Sequence, residues 1–270
     1  MHGDMTNAVS LELIHLSAAA NRLGAVFARP KVIAVGCVMV LAGLGWFMLG
    51  LRAAGWLDAL CRPWSGGGGS DMAVVAAMWS AMTLAMMLPS AAPMILTYAE
   101  IADTAARKGE PVVSPFAIAA GYTAVWLNFS VIAALAQFGL MRTDLIDSRM
   151  ASASGLFSGA IFIAAGAYQF SALKHACLTQ CQHPFSFFFA NWKTTLRGVF
   201  GLGLRQGLYC LGCCWAMMLV MFAIGVMNVI WMAVLGIMMA IEKIGVGRRF
   251  TQIIGVALIA IGVAFVLSTI

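Results

Sequence analysis

The chain has 270 residues, 62% of them hydrophobic and only 10% charged, and its mean hydropathy is +0.94. That leaves too little polar surface for a water-soluble globule of this length and points to an integral membrane protein. The net charge of +6 comes without a basic stripe interleaved with aromatics, so it reads as loops facing an anionic cytoplasmic leaflet, with no nucleic acid as partner.

Residues 1–31 read as a cytoplasmic or interfacial lead, followed by a single transmembrane helical domain over 32–270. In the lead an apolar helical period (Val9, Leu13, Leu16, Ala20, Leu23, Phe27) runs with Arg22, Arg29 and Lys31 near its end. Val32–Leu51 is a full span of about 20 residues, longer than a signal-peptide core. The loop after it contains Gly66–Gly69 but lacks the Lys-Ser/Thr of a phosphate-binding loop. A second span runs from Met72 to about Tyr98. There Met78, Met82 and Met86 share a face; core packing is the reading taken, although thioethers also suit Cu(I). Pro89 and Pro93 are expected to break this helix. Glu100 and Asp103 follow as solvated carboxylates.

The third span is Pro115–Met141 and the fourth Gly155–Leu173, with Asn128, Gln137 and Gln169 as polar groups expected to face other helices. After Lys174 comes a Cys/His loop, then an aromatic run from Phe185 to Trp192 suited to an interfacial or re-entrant segment. Val199–Ile241 reads as two short spans turning at Gly225–Asn228, and Phe250–Ile270 as the seventh. No strand pattern competes. The fold class is therefore all-α, a polytopic membrane helix bundle of about seven transmembrane helices with the N-terminus cytoplasmic. Orientation rests on the sixteen basic residues, twelve of which, Lys174 and Lys243 among them, fall in segments assigned to the cytoplasm. The expected location is the bacterial inner membrane, with the lipid bilayer as partner.

The chemistry concentrates in the 38 residues from Cys177 to Cys214, which hold five of the seven cysteines. The first group reads His175-x-Cys177-x3-Cys181-x-His183, and the second Cys210-Leu-Gly-Cys213-Cys214. Cysteines three and four apart share a helix face, so the second group can present its thiols to one point, as a Zn or Cu ion requires. Candidate metal ligands are Cys177, Cys181, Cys210, Cys213, Cys214, His175 and His183. Placement near the reducing compartment argues against lasting disulfides, and Cys37 and Cys61 read as packing. No nucleophile with a base and an orienter is identifiable, so no enzymatic activity is assigned. Two other readings stay open: an intramembrane thiol oxidoreductase using Cys210-x-x-Cys213, and a non-enzymatic assembly or anchoring subunit.

Three strings carry a family resemblance: Trp79-x2-Met82-x2-Ala85-Met86-Met87-Leu88-Pro89-Ser90-x2-Pro93-Met94; Gly166-x-Tyr168-Gln169-x3-Leu173-Lys174-x2-Cys177-Leu178-x2-Cys181-x2-Pro184; and Gly207-Leu208-Tyr209-Cys210-Leu211-Gly212-Cys213-Cys214-Trp215, followed by Gly225-Val226-Met227-Asn228 and Glu242-Lys243. On these the chain resembles a bacterial family of predicted metal-binding integral membrane proteins, the domain of unknown function 2182. The resemblance implies metal handling, transport or insertion into a membrane or metal-handling partner. The family often carries a histidine where this chain has Gln206, a poor metal ligand; the resemblance thus leaves a four-ligand site within this one helix incomplete, with His175 or His183 as substitutes.

Overall fold

The computed structural model describes residues 69–142, 154–225, 229–245 and 247–269, together with residues 36, 39, 40, 42–47, 50 and 51. The expected lead, the loop over 52–68, the charged turn over 143–153, and Cys37 and Cys61 lie outside the described residues, as does part of the expected first span. All regular structure described is helical: α1 (Gly69–Arg107), α2 (Pro115–Arg142), α3 (Gly155–Tyr168), α4 (Ala172–Gln182), α5 (Pro184–Ala190), α6 (Leu196–Ile224), α7 (Val229–Ile244) and α8 (Arg248–Leu267).

Four described helices are long and apolar enough to cross a membrane: 72–107 of α1, then α2, α6 and α8. A fifth is added if α3 and α4, which meet at a bend of 63°, count as one broken span. The helix α7 has 16 residues, short of the roughly 20 that a bilayer core requires. The expected fourth span therefore ends earlier than its apolar run, at Tyr168, and the expected Cys/His loop is a helix, α4. Its start is fixed locally, because the Ser171 hydroxyl accepts from the Lys174 N–H at 3.1 Å as an N-cap. The turn expected at Gly225 is present, with Gly225 closing α6 at φ 110°, a conformation that glycine adopts without a Cβ penalty.

Pro89 and Pro93 do not break α1, which continues through both. Proline at 89 has no N–H for the carbonyl of Ala85, and the Trp46 indole supplies the missing donor at 3.0 Å. An outside donor of this kind is how helices of membrane proteins tolerate internal proline.

The bundle is centred on α6, which packs against α2, α3, α4 and α7. Between α1 and α2, Trp79 Nε1 donates to Gln137 Oε1 at 2.7 Å and the Thr83 and Ser130 hydroxyls meet at 2.9 Å, so Gln137 joins two helices as expected. Asn128 does not: it is exposed and donates to the Ala124 carbonyl of its own helix. Gln169 is fully buried. Met78, Met82 and Met86 all lie in the core. The helix α5 is amphipathic, with Phe187 and Phe188 buried and Phe185 and Phe189 exposed. Asp103 is not simply solvated; it pairs with Arg107 at 2.7 Å.

Against α3, α8 packs through reciprocal glycines seven residues apart. A Cβ on Gly159 would lie 2.8 Å from the Gly262 carbonyl oxygen, and one on Gly166 would lie 2.7 Å from the Gly255 oxygen. The opposing atoms are backbone and cannot swing aside, so the two helices touch only because these residues lack side chains. Gly166→Val is expected to destabilise the protein by about 1–3 kcal/mol through overpacking, seen as a lower melting temperature in detergent; an unchanged melting temperature would contradict this close approach.

Candidate metal centre

The cysteine helix approaches its neighbours at two glycines. A Cβ on Gly207 would meet Val125 Cγ2 of α2 at 2.8 Å, and one on Gly212 would meet the Cys177 sulfur of α4 at 2.6 Å. The glycines of the Gly-Leu-Tyr-Cys-Leu-Gly-Cys-Cys string thus let α2 and α4 close on both sides of the thiols. Tyr168 adds a tie, its hydroxyl donating to the Gly212 carbonyl.

Cys210, Cys213 and Cys214 are buried to 2%, 1% and 1% exposure, and their sulfurs all lie within 4.8 Å of one another. Two sulfurs bound to one ion at about 2.3 Å each sit at most about 4.6 Å apart, so the three are close to ligand separation and small side-chain rotations bring them onto one ion. The Cys213 and Cys214 sulfurs are 3.3 Å apart, and the Cys213 thiol donates to the Cys210 carbonyl at 3.1 Å.

Cys210 is surrounded by donors. Lys243 Nζ lies 3.0 Å from its sulfur and also donates to Ser90 Oγ at 2.6 Å. The Tyr122 hydroxyl is 3.0 Å from the same sulfur and 3.1 Å from the Met87 carbonyl. The Met87 carbonyl, which also accepts from Ser90 Oγ at 2.8 Å, and the Cys210 sulfur are both within reach of the single phenolic hydrogen. An ammonium and a phenol at one buried sulfur are the surroundings that an anionic metal–thiolate complex needs, since charge at this depth is costly unless it is paired.

From α4, Cys181 reaches the trio's edge: it lines a cavity of about 20 Å³ with Cys210, Gln206, Tyr122 and Lys243. Cys177 is half-buried and rests against Gly212, outside the trio. Neither histidine is brought to the thiols. His183 is exposed at the end of α4 with its ring on the Thr179 carbonyl, and His175, half-buried on the same helix, does not join the trio. Gln206 lines the cavity where the resembled family often has histidine.

Lys243, Tyr122 and Ser90 were not among the expected site residues. Lys243 was counted as a cytoplasmic loop charge, as was Lys174, yet both are buried: Lys174 pairs with Glu242 at 2.8 Å and Lys243 faces Cys210. Neither belongs in a count of loop charges. The available signal was Glu242-Lys243 at the end of an apolar helix, where an ionisable residue is by default a functional candidate.

These features define a class: an all-helical protein with membrane-length apolar helices around three buried, converging thiols. The chain belongs to the PpoB2 family, described as copper chaperone, which it matches over residues 76–265, more than half its length. The match agrees with a metal-related family but does not carry the designation domain of unknown function 2182, and it names copper, with nothing that supports zinc. No curated protein and no solved structure matches the chain.

Proposed function

We propose that this protein is a bacterial inner-membrane copper chaperone that binds Cu(I) through Cys210, Cys213 and Cys214 and passes it to a metal-handling partner. The observation that carries the reading is the buried trio with Lys243 at Cys210. Soft thiolates select Cu(I), and a structural zinc site requires four tetrahedral ligands. Among the described residues only three thiols converge. With two of the three cysteines bound as thiolates and the third as a neutral thiol, the Cu(I) centre carries one negative charge, which the Lys243 ammonium 3.0 Å from Cys210 balances. Four described helices long and apolar enough to cross a membrane support a centre within a bilayer, and we read the N-terminus and the start of α6 as cytoplasmic.

The thiol-oxidoreductase alternative is less well supported by the geometry. Exchange needs a partner sulfur to attack in line at the protein's sulfur, and Cys210 and Cys213 are both buried.

Titration of the reduced, detergent-purified protein with Cu(I) against a chromophoric Cu(I) chelator tests the proposal. The expected result is one Cu(I) per chain that resists the chelator, with Zn(II) removed by a zinc chelator under matched conditions. Protein that retains no Cu(I), or that holds zinc more firmly, would sink it.

A further inference from the structure

We infer that Cys181 is the entry ligand of this centre, taking Cu(I) from a small thiol carrier and handing it across the cavity to Cys210. The inference rests on the copper reading above and adds the donor's class and the route.

Among the described cysteines of the cluster, the three trio thiols are buried, whereas Cys177 and Cys181 on α4 are partly exposed. Of these two, Cys181 shares the cavity with Cys210, beside Met94, Gln206 and Lys243. A space of about 20 Å³ has room for roughly one small particle. Its wall includes an unmet demand: Gln206 is 2% exposed, and its side-chain oxygen is buried without a hydrogen-bond partner. A buried acceptor of this kind calls for a partner, and an ion or a water in the space beside it would supply one. Sulfur lines the route at entry, side and exit in Cys181, Met94 and Cys210.

The transfer balances as three thiol exchanges at copper, which stays Cu(I) throughout. A carrier complex (RS)₂Cu⁻ is attacked by the Cys181 thiol; a Cu–S bond to Cys181 forms, one to the carrier breaks, and the Cys181 proton leaves on the released RSH. Cys210 then displaces the second carrier thiol in the same way. Cys213 or Cys214 finally displaces Cys181, which regains a proton from the incoming thiol. The copper complex carries a single negative charge at each stage, and Lys243 faces the crossing point with a single positive one.

The test uses full-length protein, the Cu(I)–glutathione complex as donor and stopped-flow detection of loading, alongside equilibrium competition with a chelator. Cys181→Ser is expected to keep one Cu(I) per chain at equilibrium but to load about tenfold or more slowly, because a positioned nucleophile is lost while the resting ligands remain. Cys181→Ala, which also lacks the thiol, should behave alike and shows whether the serine hydroxyl interferes. If either variant loads at the wild-type rate, entry does not run through Cys181. If both lose copper at equilibrium, Cys181 is a resident ligand and the relay is wrong while the copper reading stands. Wild-type protein that binds no Cu(I) overturns that reading instead.

Discussion

Cys210→Ser combined with Cys213→Ser is expected to give a protein that folds, inserts and holds no stoichiometric copper, falling from one ion per chain to below about one in ten by elemental analysis, since removing first-rank ligands removes the binding free energy with them. Serine is close to cysteine in size. Its hydroxyl at position 213 can still donate to the Cys210 carbonyl, as the thiol does at 3.1 Å, and at position 210 it can accept from Lys243 and Tyr122, which lie 3.0 Å from the sulfur. The polar contacts of the fold are thus kept while two of three thiolates disappear. Of the resident trio only Cys214 then remains, a single sulfur for an ion that needs at least two, since Cys181 holds copper only in transit. If the double variant keeps its copper with normal affinity, the metal is bound elsewhere and the trio is packing.

The parts of this structure legible in the sequence are those decided by local pattern. Pro115 and the apolar run after it set α2 almost to the residue, with Arg142 one position past the expected end. Gly225 was legible as a stop because only a residue without a Cβ closes a helix comfortably at positive φ. The thiol trio followed from helical spacing alone. The misreadings of Pro89, Lys174 and Lys243 are cases where a distant group settles a local demand, whereas that of α4 overlooked a local one. Pro89 was read as a break, since nothing near it in sequence supplies the donor that Trp46 provides across 39 residues. The polar string of α4 was read as a loop, although Ser171 three residues before Lys174 is an N-cap pattern. Lys174 and Lys243 were read as loop charges because their partners, Glu242 and Cys210, stand 68 and 33 residues away.

The two buried lysines also explain how the thiol site is held in register. Cys181 is carried by α4, Lys243 by α7 and the trio by α6, so the centre is assembled from three helices that must keep their relative positions. Lys174 Nζ reaches both Glu242 oxygens, at 2.8 and 3.1 Å, and Gln182 Nε2 donates to the Glu242 carbonyl at 2.7 Å. Both contacts join α4 to α7 at the residue adjoining Lys243. A shift of α7 relative to α4 would therefore carry the ammonium away from Cys210.

Lys174→Met is accordingly expected to be among the most damaging single substitutions in the protein. The side chains of Lys174 and Glu242 are 0% and 1% exposed, so methionine, which matches the lysine stem in length, leaves the Glu242 carboxylate buried without its cation. Breaking a buried pair from one side typically costs about 3–5 kcal/mol, whereas replacing both members with apolar residues is often neutral. The double variant Lys174→Met with Glu242→Met should therefore regain most of the lost stability, giving a large coupling in a double-mutant cycle read by denaturant unfolding in detergent. Copper should divide the two effects. In the double variant the fold recovers but the ionic half of the latch is still missing, with only the Gln182 bond to the carbonyl at 242 left, so Cu(I) affinity stays below wild type while the melting temperature returns toward it. Additive losses in the cycle would show that the two residues are solvated in solution and that the α4–α7 latch does not exist; full recovery of copper affinity in the double variant would show that Lys243 is positioned without it.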